Sequence, residues 1–141
     1  MKTQELLASL SVDRWTQIVY AQPYVWTVRD LVAHFFSAEQ HLLALAQDVA
    51  AGGLGAPLGL DYDAFNAEEQ ERLKDRSPQE LLPALAQARQ ATVAWVRTLD
   101  DRQLDRVGRH PALGEIPLET MLTAMYGHQL LHMRDLRSKL V

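Results

Sequence analysis

The strongest constraint on this chain is the run "WTVRDLVAHFFSAEQHLLALAQDVAAGG", residues 26–53. Within it Leu31, Phe35, Ala38, Leu42, Leu45 and Val49 recur at intervals of three or four, a spacing that lines one side of an α-helix and neither face of a strand. Thr27 can accept a hydrogen bond from the third helical amide while Asp30 reaches back to the amide of Thr27, the reciprocal cap that starts a helix. Gly52 and Gly53 end it. A helix with one apolar stripe is stable only when that stripe is buried against another element, so the rest of the chain has to supply partners.

It supplies helices. In "SPQE" Ser77 is a cap, Pro78 takes the first helical position and Glu80 closes the box. The helix that follows runs from Pro78 to about Leu99, with a stripe of Leu81, Leu85, Ala88, Thr92, Trp95 and Leu99. Pro83 falls early enough in it to be tolerated. Pro117 starts the last long helix, which runs nearly to Val141 and carries Leu118, Met121, Leu122, Met125 and Leu136 on one face. A short polar helix is predicted from about Tyr62 to Leu73. The connectors are "GGLGAPLGLDYDAFN", which lacks the Lys-Ser/Thr pair of a phosphate-binding loop, and "DDRQLDRVGRHPALGEIP", with one helical turn in its first half. No β-alternation of useful length is present, and the expected architecture is an all-α bundle.

Composition narrows the functional classes. A chain of 141 residues fits a single domain spanning 1–141 and can bury a core without staples. It has no cysteine, which removes disulfides, thiolate metal sites and cysteine nucleophiles together. A net charge of −4 with scattered basic residues gives no footprint for nucleic acid. There is no signal-like N-terminus, and no apolar run approaches the roughly 18 residues of a membrane span. The expectation is a cytoplasmic protein that binds neither nucleic acid nor membrane.

The chemistry is concentrated in "YGHQLLHMRDL", residues 126–136, where His128 and His132 stand four positions apart on one helix face. One metal ion can hold both rings, and an open site for chemistry needs a third protein ligand. His34, on the flank of the first stripe, meets that need best. Three neutral imidazoles would hold a divalent metal with a position left for water or substrate; ligation without thiolate suits zinc, nickel, iron or copper. Spacing alone leaves the other reading open, in which these are structural imidazoles hydrogen-bonded across the bundle. His41 is seven residues beyond His34, about 10 Å along the helix, too far to share the ion; it is assigned to structure or solvent.

Around this centre, His110 in "GRHPALGE" is the candidate catalytic proton shuttle, with a surface-loop histidine as the alternative. Glu39 is a candidate to orient an imidazole through its second nitrogen, with a solvated carboxylate as the default reading. Asp61, Asp63 and Asn66 either line the entrance or cap a helix. Trp26, Phe35, Phe36 and Trp95 are assigned to the core, and Met121 and Met125 to an apolar wall near the metal. Tyr126 turns away from the histidines. Asp135 has Arg134, Arg137 and Arg29 as possible partners.

The segments "WTVRDLVAHFFSAEQ" and "YGHQLLHMRDLRSKL" together resemble the DinB-like superfamily, damage-inducible four-helix-bundle proteins related to the metal-binding domain of mycothiol-dependent maleylpyruvate isomerase. The family signature falls on Trp26, Thr27, Asp30 and His34, and its C-terminal His-x-x-x-His on His128 and His132; the resemblance extends from Ser11 onward. It implies an up-down-down-up four-helix bundle in which this histidine triad binds a divalent metal, nickel or zinc first and iron next. It also implies a thiol-dependent transferase or isomerase acting on a small-molecule substrate with a low-molecular-weight thiol cosubstrate, in a homodimer. The alternative is a non-catalytic stress-response or binding protein that keeps the bundle and its metal. One departure stands out: family members carry a full first helix before the segment matching "LSVDRW", and here only Met1 to Leu10 precede it. The shortened helix leaves a groove that a partner subunit or the polar helix could cover.

Overall fold

Each long helix begins where the sequence offers its first amides a partner. The computed structural model describes residues 3–140, and in it Thr27 accepts from the Asp30 amide while Asp30 Oδ2 accepts from the Thr27 amide at 3.0 Å, opening α2 (Val28–Ala50). Ser77 and Glu80 make the same reciprocal cap at the head of α4 (Pro78–Val96). The last long helix, α6 (Leu118–Leu140), follows Pro117 directly. The polar helix α3 spans Tyr62–Leu73, capped by Asp61, whose carboxylate accepts from the amides of Asp63 and Ala64. A six-residue α1 (Thr3–Ala8) and a 3-10 turn (Val12–Thr16) stand in place of a full first helix.

Two core clusters fix the helix directions. One joins Leu31 and Phe35 of α2 to Leu81 and Leu85 of α4 and to Met133 and Leu136 of α6, with Leu7 of α1 fully buried among them. The other joins Ala46 and Val49 of α2 to Trp95 within α4 and Leu99 just after it, and to Leu118 and Met121 of α6. The N-terminal half of α2 therefore meets the N-terminal half of α4 and the C-terminal half of α6. Helices α2 and α4 run parallel and α6 runs against both, the up-down-down-up order. The parallel pair requires a crossover, and α3 supplies it.

The helical stripes are only partly core. Leu31, Phe35 and Val49 are buried as expected, but Ala38, Leu42 and Leu45 turn toward an open groove. The polar helix α3 packs on the flank of α2 through polar contacts: Ser37 Oγ donates to Glu69 at 2.9 Å, and Gln70 Nε2 donates to the Asp30 carbonyl at 2.8 Å. Arg29 closes its end by donating to the Leu73 and Arg76 carbonyls.

Two short antiparallel hairpins were not expected. Strand β1 (Ile18–Tyr20) pairs with β2 (Trp26–Thr27), placing Tyr20 opposite Trp26. After a one-turn helix α5 (Asp101–Leu104), β3 (Val107–His110) pairs with β4 (Gly114–Pro117), His110 opposite Gly114. Gly114 has φ +74°, the left-handed conformation that lets the hairpin reverse tightly. Such strands are too short to show an alternating pattern, and the connector composition conceals them. Among the described residues no helix is long and apolar enough to cross a membrane.

Candidate metal centre

The family-like signature at the head of α2 has a local physical purpose. The cap made by Thr27 and Asp30 fixes the first turn, and the Trp26 ring lies 4.9 Å from the His34 ring. His34, 7% exposed, is thus held by a rigid helix start on one side and an indole on the other. From α6, His128 and His132 project on one face as their spacing requires.

The three rings meet. His34 Nε2 lies 3.1 Å from His128 Nε2, which lies 3.0 Å from His132 Nε2. All three offer a ligand atom within 4.8 Å of the others. Two nitrogens each about 2.1 Å from one ion, at angles between the octahedral and tetrahedral values, stand roughly 2.9–3.4 Å apart, so the close pairs have the span of a coordination site. Hydrogen bonding among the rings explains the contacts less well. Each Nε2 carries either one in-plane hydrogen or one lone pair, so the two contacts of His128 could be served only by a single forked bond. A cation at the centre serves all three.

Protonation is disfavoured as well. Burial pushes His34 down to about 3, and the neighbouring His128 and His132 add to the effect. His128 is pushed down to about 4 by burial, then by His132 and His110. Burial also lowers His132, against the opposing pull of Asp135. Three rings kept neutral in a half-buried pocket present lone pairs, the donor set that a borderline divalent ion takes.

A residue that the sequence reading missed holds one of these imidazoles. Tyr20 Oη lies 2.7 Å from His132 Nδ1 and donates to Asp135 Oδ2 at 2.9 Å. Because the phenol proton goes to the carboxylate, Tyr20 accepts from His132 Nδ1–H, and the lone pair of His132 is left on Nε2, facing the centre. Burial, followed by the bond to Asp135, raises the Tyr20 pKa and keeps the phenol neutral. Tyr20 sits in a three-residue strand with no helical periodicity, and the only signal for it was an aromatic in "IVY" shortly before the cap of α2. Asp135 takes this role while also pairing with Arg134 at 3.1 Å.

Neither reading of Glu39, as an orienting group or as a solvated carboxylate, survives its position. Its carboxylate is buried and pairs with Arg89 at 2.9 Å, and Arg89 in turn donates to Gln129 at 2.6 Å. Glu39 therefore ties α2 to α4 and α6 and contacts no imidazole of the triad. His110 closes the hairpin, its Nδ1 accepting from the amides of Ala112 and Leu113 at 3.1 and 3.2 Å. It lines the same groove as the triad, as do Asp63 and Asn66, while Asp61 is spent on the cap. Met121 and Met125 are buried under the hairpin turn, beside Leu42, Leu45 and His110. Tyr126 is 56% exposed and faces out.

The triad opens into a groove of about 1510 Å³ bounded by the β1–β2 loop, α2, α3, the β3–β4 turn and α6. Pockets for drug-sized ligands run from about 300 to 1,000 Å³, so this one has room for a substrate and a second small molecule.

A family model described as the DinB superfamily matches residues 1–136. Among solved structures, the chain is similar to YfiT from Bacillus subtilis, described as a probable metal-dependent hydrolase with an unusual four-helix bundle topology. That match has a TM-score of 0.76 at 21% identity and covers 96% of this chain and 76% of that one. It is similar also to the mycothiol-dependent maleylpyruvate isomerase, with a TM-score of 0.77 at 17% identity, covering 94% of this chain and 54% of that one. The chain thus spans about half of the isomerase. A DinB-like protein of Bacillus subtilis, YjoA, matches with a TM-score of 0.60 at 20% identity over 97% of this chain and 81% of that one. No curated protein matches the sequence. At these identities the structural likeness is one of fold.

Proposed function

The chain belongs to the DinB superfamily, and from that premise we propose that His34, His128 and His132 hold a divalent metal ion in a metal-dependent enzyme of thiol-dependent transferase or isomerase type. The observation that carries this reading is the approach of three neutral imidazoles, with His128 Nε2 3.1 Å from that of His34 and 3.0 Å from that of His132, on the wall of a groove that admits small molecules. The structural relative that depends on mycothiol supports the thiol, and a chain without cysteine takes its thiol from a cosubstrate. Nickel and zinc come first as the ion, and iron next.

A divalent ion supplies Lewis acidity, which lowers the pKa of a coordinated thiol or water toward neutrality. The chain's own residues do the rest. Tyr20 and Asp135 hold His132 in the tautomer whose Nε2 lone pair faces the centre. Trp26 and the cap of α2 hold His34. In His110 the two amides bound at Nδ1 place the ring proton on Nε2, where it can donate to an oxygen of a substrate in the groove. This is the catalytic role proposed for His110.

Elemental analysis of protein purified without chelator tests the metal, with about one equivalent expected and none counting against the whole reading. The loaded protein is then mixed with monochlorobimane and a panel of low-molecular-weight thiols. Metal-dependent acceleration of adduct formation supports the transferase. Hydrolysis of p-nitrophenyl acetate without thiol would instead favour the chemistry attributed to YfiT, and bound metal with no turnover would favour a binding protein.

A further inference from the structure

The groove has a second organised polar group. His41 lies two helical turns beyond His34, about 10 Å along α2, and its ring lines the same groove. Glu69 Oε2 lies 3.3 Å from its Nε2, and the Phe65 ring meets it edge-on at 4.7 Å and 89°. Glu69 is itself held, accepting from the buried Ser37 hydroxyl and from both the Nε and Nη2 of Arg72. A histidine on a solvated helix flank needs no such support. His41 is nonetheless 44% exposed at its side chain, and its Nδ1 has no partner among the described residues. With an anionic oxygen of Glu69 3.3 Å from Nε2, the neutral ring favours the tautomer that keeps its hydrogen on Nε2 and a lone pair on Nδ1.

The charges along the groove limit what can lie between the two stations. Arg29 is committed to Asp30 at 2.9 Å and to two carbonyls, and Lys74 to Glu71 at 2.5 Å. These are the only lysine and arginine among the described lining residues, and the carboxylates of Asp63 and Asp135 line the groove as well. With Asp30 and Glu71 also on the lining, carboxylates outnumber the two cations, and an anionic ligand body would meet no net positive charge there. Along α2 the wall between the stations is Ala38, Leu42 follows just beyond His41, and Phe65 and Leu131 stand elsewhere on the lining.

We propose that His41 is a ligand-binding residue, and that the groove takes an uncharged, elongated and largely apolar small molecule. One polar end lies at the three imidazoles, and a hydroxyl or N–H at the far end donates to His41 Nδ1. This rests on the metal reading above and specifies the substrate class of that site.

The test uses nickel-loaded full-length protein and hydroxamic acids, whose head groups chelate the ion. Calorimetry compares octanohydroxamic acid with its ω-hydroxy derivative, which brings a donor to the distance of His41. In the wild type the ω-hydroxy compound binds tighter by about fivefold, the worth of one net hydrogen bond. In His41→Ala, and in His41→Phe, which keeps a ring against Phe65, the order reverses because the hydroxyl is desolvated without a partner. The butanohydroxamic pair, too short to reach, shows no such gain, and an ω-carboxylate on the longer chain weakens binding. An ω-hydroxyl preference that is absent, or unchanged in both variants, overturns the inference while leaving the metal site standing; tighter binding of the ω-carboxylate overturns the uncharged class. Failure of every hydroxamate, short ones included, overturns the metal reading and this inference with it.

Discussion

Tyr20 Oη and His132 Nδ1 lie 2.7 Å apart across 112 residues of chain. The contact makes a strand residue part of the support of a helix-borne imidazole, and it does so through a proton whose direction is fixed by Asp135 at 2.9 Å. Removing the hydroxyl frees the His132 ring to rotate and to change tautomer. Tyr20→Phe is expected to weaken metal binding about 10- to 100-fold, the usual cost of losing such an outer hydrogen bond. Isothermal titration of chelator-stripped protein with nickel or zinc measures it, and an unchanged dissociation constant would remove Tyr20 from the site.

If the triad holds a metal as proposed, metal and stability are linked, because the unfolded chain does not hold the three rings together. At free metal about a hundredfold above its dissociation constant, the folded state gains about 2.7 kcal/mol. Wild-type protein is expected to melt several degrees higher with nickel or zinc than with EDTA. His34→Ala should abolish that difference, since two ligands from α6 alone do not complete the set. A metal-dependent rise of equal size in the variant would place the ion elsewhere.

Gly108 of β3 shows how closely the second hairpin sits on α2. A Cβ built there would fall 2.2 Å from Val49 Cγ2, and Val49 is fully buried. Overpacking of this kind costs about 1–3 kcal/mol. Gly108→Ala should lower the denaturation midpoint accordingly, while Gly127→Ala, which meets nothing within 4 Å, replaces a helical glycine and should stabilise slightly. Equal midpoints for the two variants would mean that the hairpin is not seated on the helix.

Glu69 gives a pH dependence with a defined sign. The hydrogen bonds from Arg72, followed by that from Ser37, hold its carboxyl down at about 2 against an ordinary 4.5, with burial opposing. A depressed carboxylate stabilises the fold above its unfolded pKa and loses that contribution as pH falls toward the folded value. The window is therefore pH 4.5 down to about 2. Because Arg72 is half exposed, the contribution is on the order of 1 kcal/mol after solvent screening. Wild type should exceed Glu69→Gln in urea stability at neutral pH, and the gap should close across that window; a gap that stays constant to pH 2 would rule out Glu69 as its source.

Much of this protein was legible in the chain itself, and the particular residues say why. Thr27 with Asp30, and Ser77 with Glu80, cap the helices they were expected to cap, and α3 spans Tyr62–Leu73 as predicted. Caps and stripes act over a few residues, so the sequence states them directly. The pairing of His128 with His132 belongs to the same class, being one turn of one helix.

What the sequence could not decide was which distant surfaces meet. Ala38, Leu42 and Leu45 belong to the same stripe as Leu31, yet they line a groove, because α3 and the β3–β4 turn stand off from that part of α2. Glu39 pairs with Arg89 and not with an imidazole, Tyr20, for which the sequence suggested no role, supports His132, and His41 meets Glu69, which lies 28 positions away in sequence. The close approach of His34 to His128, across 94 residues, depends on α6 running against α2 at one particular height. Local hydrogen bonding and periodicity determine where helices begin and which side is apolar; only the packing of whole helices sets the few ångströms that turn three imidazoles into one centre.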